Sequence, residues 1–276
     1  MPRLFVLFVV INAAMIFSSP LLAAEPEPAQ APPRRLAPEH SLRLYELRVI
    51  EATPGKLDAL HARLRDRQIP LLEQHGIFTQ GVFVPAGENP NQFVYLLTAA
   101  EESVPMAEGW IEFGEDPKWL EVLAATDKDK NGRLVIREGY QRLRSIHWSP
   151  VFKPEHAPKP RVFELRTYMC PDHGKRVALQ RRFRDHTMKL FAKHGMQNIV
   201  YWVPDDGEPE ALQKLVYLLG HESQAAAKKS FEAFRSDPDW LAAKKASEEA
   251  AGGSLTNPEK GVVSEFLEAT EYSPLK

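Results

Sequence analysis

The sequence predicts an α+β fold: two tandem ferredoxin-like βαββαβ repeats packed as a pseudo-dimeric α/β barrel. Three observations lead there. Short motifs recur in the same order at offsets of 118 to 124 residues. Each copy alternates strand-like and helix-like periodicity in the order β-α-β-β-α-β. A four-stranded sheet with helices on one face must bury its other face, and a second such sheet in the same chain supplies the cover.

The repeat is visible residue by residue. YELR at 45–48 returns as FELR at 163–166, and LLEQHGI at 71–77 as LFAKHGM at 190–196. VFVP at 82–85 matches YWVP at 201–204, and FVYLL at 93–97 matches LVYLL at 215–219. WIEFGEDPKWL at 110–120 matches FEAFRSDPDWL at 231–241, and HWSP at 147–150 matches EYSP at 271–274.

The elements follow in order. LRLYELRVI is rich in β-branched and aromatic residues and reads as a strand. After a Gly-Lys turn, Leu57, Leu60, Leu64, Leu71 and Leu72 form a helical stripe, with Leu179, Phe183, Leu190 and Phe191 as counterparts. Pro70 is expected to kink the first of these helices, where the second copy has Lys189. Gly76 and Gly195 fit left-handed helix caps. Strands at 77–85 and 92–98, and at 196–204 and 213–220, form hairpins. A second helix is expected from Glu102 and from Glu222. In DPKW and DPDW an Asp cap precedes a proline at the first helical position. A last strand closes each copy, IREGYQRLRSI in the first.

The N-terminus reads as processing rather than fold. Arg3 precedes an apolar run that ends in small residues at Ala23 and Ala24, which predicts a signal peptide over 1–24. Retention as an N-terminal membrane anchor is the alternative. Residues 25–40 are Pro-rich and read as a linker. The repeats then occupy 41–150 and 161–276, joined by a linker at 151–160. The expected location is periplasmic or secreted.

Bulk chemistry narrows the function. Lys plus Arg number 35 against 37 Asp plus Glu, which gives no basic excess for nucleic acid. Cys170 is the single cysteine, so internal disulfides and cysteine zinc sites are excluded. The chain shows no nucleophile motif, Gly-rich phosphate loop or HExxH signature.

Taken together, the YELR/FELR strand, the Gly-Lys turn, the helix end HG, the VYLL hairpin strand and the DPxW helix resemble the NIPSNAP family over residues 42–150 and 161–274. That resemblance implies the dimeric α/β-barrel fold, shared with small monooxygenases, haem-degrading enzymes and chlorite dismutases. It carries over no catalytic residue, since the family has no agreed ones. The signalling and trafficking roles discussed for eukaryotic members are not implied for an exported chain.

Several residues remain candidates for chemistry. In a strand, Glu46 shares a face with Arg48, and Glu164 with Arg166. If Tyr45 and Leu47 pack on the helices, the Glu–Arg pairs look into the barrel seam. There they either dock the halves or let both arginines hold an anionic ligand. Tyr95, Tyr217 and Trp202 stand among aromatic residues that either fill the core or line an apolar pocket. His75 and His194 end equivalent helices, a favourable place for a cation or for a bond to the last carbonyls. His186 lies seven residues after Leu179, hence near the sheet-facing stripe, where it is either a core or surface histidine or a base or haem ligand.

Residues 127–138, DKDKNGRLVIRE, carry the spacing of an EF-hand calcium loop. Asp127, Asp129, Asn131, the Arg133 carbonyl and Glu138 would be the ligands. The second copy lacks the pattern, and a strand rather than a helix is expected to follow, so calcium at this loop stays open and no cofactor is assigned. The sequence favours binding of a small apolar or amphipathic ligand or of a protein partner. A monooxygenase-like enzyme, cofactor-independent or haem-using, is the alternative, and a purely structural role the third. Neither nucleic acid nor, after cleavage of the signal, membrane is expected as partner, and homo-oligomers are allowed.

Overall fold

A computed structural model describes residues 43–87, 91–99, 106–127, 132–157, 161–205, 207, 209–259 and 261–276. The expected signal peptide and linker at the N-terminus lie outside the described residues. Eight strands form one closed antiparallel barrel. They are β1 (Leu44–Ala52), β2 (Ile77–Pro85), β3 (Gln92–Ala99), β4 (Val135–Ser145), β5 (Val162–Met169), β6 (Gln197–Pro204), β7 (Lys214–His221) and β8 (Val262–Ala269). Their order around the barrel is β1-β3-β2-β8-β5-β7-β6-β4. Each half contributes four consecutive neighbours, and the halves join at β2–β8 and β4–β6. The strand expected over IREGYQRLRSI is β4, which begins at Val135 inside the calcium-loop motif.

Among the described residues six helices lie outside the barrel, besides a short 3-10 helix at Pro209–Gln213. α1 runs through Leu57–Arg63, a π-helical turn at Leu64–Gln68 and Ile69–Gln74. Next come α2 (Met106–Glu115) and α3 (Pro117–Thr126). In the second half, α4 combines His173–Arg182, a π-helical turn at Phe183–Thr187 and Met188–Lys193, followed by α5 (Gln224–Ser236) and α6 (Pro238–Ala250). The π turns show as i→i−5 bonds, Ile69 N–H to Leu64 O and Met188 N–H to Phe183 O. The irregularity in α1 therefore precedes Pro70 and does not depend on it, because α4 has the same turn with Lys189 at the matching position. A wide turn already leaves a carbonyl without its usual partner, so Pro70 adds little disruption there.

Helix ends follow the expected chemistry. Asp116 and Asp237 cap α3 and α6, accepting from the Lys118 and Asp239 N–H groups at 2.8 and 2.9 Å. Gly76 and Gly195 take φ of 71° and 78° after α1 and α4, a conformation that a Cβ would penalise. α5 begins two residues later than expected, because Ser223 is its cap and accepts from Ala226 N–H at 3.0 Å. The expected start at Glu102 lies outside the described residues.

Three apolar layers result. Tyr45, Phe83, Val94, Phe163, Trp202 and Val216 fill the barrel interior with side chains from both halves. Outside, Leu60, Leu64 and Leu72 of α1 cover Tyr95 and Leu97, while Leu179, Phe183 and Phe191 of α4 cover Tyr201, Tyr217 and Leu219. The faces of β1 and β5 are thus the reverse of the expected ones: Tyr45, Leu47, Phe163 and Leu165 look inward and the Glu–Arg pairs look out to the helices. A closed barrel interior offers no water to compensate a charge, whereas the helices bring polar partners and aromatic faces.

The segments after β4 and β8 cross to the opposite half. Ser149 accepts from Tyr201 N–H at 2.9 Å, and Ser273 accepts from Val82 N–H at 3.0 Å. Both donors follow a break in strand register, between Asn198 and Val200 and between Thr79 and Gly81. The ring of Trp148 packs on Tyr201, centroids 5.4 Å apart, and Tyr272 bonds and packs against His61 of α1. These reciprocal arms account for the paired HWSP and EYSP motifs.

Candidate functional site

The richest polar cluster among the described residues lies between the second half of the barrel and α5. Strand alternation places Glu164 and Arg166 of β5, Tyr217 and His221 of β7 and Ser264 of β8 on the outer face. In the β5–β7 register Arg166 sits opposite Tyr217 and Val162 opposite His221, which brings Glu164 diagonally beside the imidazole. His221 Nε2 lies 3.0 Å from a Glu164 oxygen, and the other oxygen accepts from Arg166 and Ser264. Arg166 Nε donates to the Tyr217 hydroxyl at 2.9 Å, and its guanidinium lies 4.4 Å from the Phe231 ring centroid. His221 is 3% exposed, yet its Nδ1 is buried without a hydrogen-bond partner. The rings of Phe231 and Phe266 lie 6.1 and 6.2 Å from it.

The helices leave the outer face of β8 uncovered. Val262 and Ser264 are exposed and Phe266 is half-buried, so the cluster meets solvent along this shelf. Burial pushes the Glu164 carboxyl up, but the His221 bond, the Arg166 charge and the Ser264 bond outweigh it and hold it below the ordinary range. The Arg166 guanidinium is opposed by burial but held firmly charged by Tyr217, Tyr168 and Glu164.

The first half has no such cluster. Ala99 stands where the second half has His221. Glu46 still pairs with Arg48, but Arg48 turns toward Glu138 and lies 3.7 Å from the Trp110 ring and 5.3 Å from Tyr140. Tyr95 bonds Thr79 at 2.9 Å rather than the arginine. With fewer partners, Glu46 is dominated by burial and its pKa is raised despite Arg48.

The proposed ligand residues therefore separate. Arg166 and Tyr217 meet in the second layer, Arg48 and Tyr95 belong to the first, and Trp202 lies inside the barrel beside Tyr45, rings 5.6 Å apart. A single anion held by both arginines does not fit this arrangement, because each arginine is stacked under a different helix layer. His186 is exposed on α4, whereas Phe183 and Thr187 point inward. The π turn inserts one residue into the repeat, so Thr187 takes the sheet-facing place that regular α-helical spacing assigns to His186.

His75 and His194 each bond the Asp that caps the next helix but one, His75 to Asp116 at 3.0 Å and His194 to Asp237 at 2.7 Å. Their partners are these carboxylates rather than the last helical carbonyls. The Asp116 carboxyl is lowered chiefly by His75, and that of Asp237 by Lys193 and then His194. Cys170 is fully buried and burial pushes its thiol up to about 11, which suits a small core residue rather than a nucleophile.

Of the calcium-loop residues, Asp129 and Asn131 lie outside the described residues. Asp127 accepts from Arg63 at 2.9 Å, the Arg133 carbonyl accepts from Thr53 at 2.5 Å, and Glu138 pairs with Arg48. Among the described residues no group of three or more His, Cys, Asp or Glu side chains is placed to hold a metal. No described helix is long and apolar enough to cross a membrane.

Sequence reasoning passed over His221 and the buried arginines Arg63 and Arg182. His221 has no counterpart in the first half, so the recurring motifs gave no signal, although alternation from Tyr217 and Leu219 puts it on their face. Arg63 and Arg182 match at an offset of 119 and each stacks near the DPxW tryptophan, Trp119 at 5.6 Å and Trp240 at 4.9 Å.

Comparison with known proteins gives a family-model match to the second half and several similar structures. A NIPSNAP family model matches residues 163–274. A NIPSNAP family protein from Agrobacterium tumefaciens is 21% identical, with 40% of this chain and 94% of that chain covered and a TM-score of 0.34. A NIPSNAP domain protein from Burkholderia xenovorans is 16% identical, with 40% and 95% covered and a TM-score of 0.31. An anthrone oxidase-like protein is 12% identical, with 84% and 93% covered and a TM-score of 0.48. No curated protein matches the chain. Residues 163–274, which hold the whole His221 cluster, match the NIPSNAP family model.

Proposed function

We propose that this protein binds a small, largely apolar or amphipathic molecule on the β8 shelf of its second half, against Arg166, His221, Phe231 and Phe266. The observation that carries the reading is the uncovered outer face of β8, where Val262 and Ser264 are exposed beside the half-buried Phe266 and next to the Glu164–Arg166 pair. The Phe231 and Phe266 rings near this face favour an apolar body, and Arg166 a polar group on it. Calorimetric titration with 2-naphthol is the test. Saturable binding that Ser264→Trp abolishes supports the reading, since a large side chain at that exposed position blocks the shelf. Binding that survives Ser264→Trp but is lost in Tyr140→Trp would place the site in the first half and overturn it.

The Glu164–His221 pair favours a second reading. A carboxylate behind an imidazole with a free ring nitrogen is the arrangement of a general base. In that case Glu164 orients His221, and Nδ1, closed off by Phe231 and Phe266 in this structure, is opened by movement of those rings before it takes a proton from a bound O–H ahead of reaction with oxygen. Oxygen uptake with 2-naphthol, lost in His221→Gln while binding persists, would support the monooxygenase-like enzyme.

We further propose that the two halves are tandem ferredoxin-like copies, supported by their matched strand order, π turns, caps and arms. Export is proposed on the apolar run before Ala24; a secreted product of unchanged mass would contradict cleavage.

A further inference from the structure

We infer that two copies of this chain associate through strand β4, edge to edge and antiparallel, about a two-fold axis at Glu138. One edge of β4 is paired with β1 along nearly its whole length, from Ala52↔Val135 to Leu44↔Arg144. On the other edge β6 reaches only Leu143, Arg144 and Ser145, and the Asp205 N–H adds one bond to the Arg142 carbonyl at 2.9 Å. Among the described residues nothing pairs with this second edge over Val135–Gln141. Residues of an antiparallel strand direct their backbone groups to its two edges in turn. Arg142 turns its carbonyl to the β6 side, so alternation turns the N–H and C=O groups of Ile136, Glu138 and Tyr140 out of the same, open edge. The side chains of Ile136 and Tyr140 are 56% and 43% exposed. An open edge flanked by exposed apolar side chains is a template for another strand.

The side chains fit β4 itself as that strand. Glu138 is the midpoint of the open stretch, so an axis there lets the stretch of each copy cover that of the other. Ile136 then lies opposite Tyr140 of the second copy, twice per dimer. On the inner face Arg137 lies opposite Gly139, which has no side chain to obstruct it. The two Glu138 carboxylates meet at the axis, each already paired with Arg48 of its own chain. Each end of the pairing brings the exposed Arg133 of one copy beside Asp205 of the other, with opposite charges. The end of β6 blocks the edge from Leu143 onward and keeps the axis from moving toward Ser145. The last strand of the second half offers less: β8 begins at Val262, and β2 with Ala86 takes its edge from Phe266 onward. Two-fold pairing uses the open edge of both copies, so it closes at the dimer.

Sedimentation equilibrium of the protein from about 1 to 200 μM tests this, a short edge contact being weak and concentration-dependent. The expected result is a rise in mass from one chain to two. Ile136→Glu removes an apolar contact twice per dimer and sets a carboxylate diagonal to Glu138 of the second copy, which should weaken the dimer roughly hundredfold. Tyr140→Thr keeps strand propensity, loses the same contact and serves if the glutamate variant does not fold. Hydrogen exchange at the Ile136, Glu138 and Tyr140 amides should slow as the protein concentration rises, which packing of faces alone does not produce. A single-chain mass up to about 200 μM would overturn the inference and leave the edge to a strand of another protein. A dimer unaffected by both substitutions, as association through the apolar N-terminal run would be, would also overturn it. So would a dimer lost in Val262→Lys instead, which would place the contact on β8.

Discussion

Glu46 and Glu164 occupy equivalent strand positions, but their neighbours push them in opposite directions. Glu164 has His221 and Ser264 in addition to its arginine, and its pKa falls; Glu46 lacks both, and burial raises it. The lowered group contributes stability that is present above its unfolded value, about 4.3, and is lost as pH falls through its folded value. The raised group contributes stability below its unfolded value and loses it as pH rises through the folded one. Glu164→Gln should therefore cost about 3 kcal/mol at pH 7, because it leaves Arg166 short of its counter-charge, and the cost should shrink as the pH falls below about 4. Glu46→Gln should cost less than Glu164→Gln at pH 7, because burial already disfavours the Glu46 charge and Arg48 keeps Glu138 as a partner. Denaturant melts of both variants at pH 7 and pH 3.5 check this; equal costs at both pH values would contradict it. At this scale the sequence showed the Glu–Arg pairs and their shared face, but not the direction of that face. Alternation is two-fold degenerate, and burial in the barrel decides between its solutions.

The helices and strands were largely legible because their signals are local: apolar stripes, Asp-Pro caps and glycines after α1 and α4. The π turns were not, since one inserted residue leaves composition unchanged while moving His186 to the surface. The arms were visible as repeated HWSP and EYSP but had no partner in the sequence, because Ser149 and Ser273 reach across 52 and 191 residues. Each serine satisfies a backbone N–H freed where strand register breaks. Ser273, 1% exposed, is the more critical. Ser273→Ala should cost about 1–3 kcal/mol by orphaning the Val82 N–H, or about 2–4 °C of melting temperature per kcal/mol at this size. Ser149→Ala should cost less, its site being only part-buried. Thermal melts compare the two, and no loss in either would mean that the arms do not secure the bulges.

The whole molecule is one barrel with one shared interior. Tyr45 of the first half packs on Trp202 of the second, and Phe83 on Phe163, with ring centroids 5.6 and 5.2 Å apart. Neither half can unfold without exposing the interior of the other, so melting should be a single transition with coincident near- and far-UV circular dichroism. Two resolved transitions would contradict the shared core. Closure was legible from the recurring motifs, because two one-sided sheets need each other. The site was not, because it depends on a histidine by which the halves differ, and recurring motifs favour what the halves share. The central claim, a binding shelf on the outer face of β8, is tested most directly by calorimetric titration of the protein and its Ser264→Trp variant with 2-naphthol. Saturable binding to the protein that Ser264→Trp abolishes is the predicted result. Binding left unchanged by Ser264→Trp would contradict it.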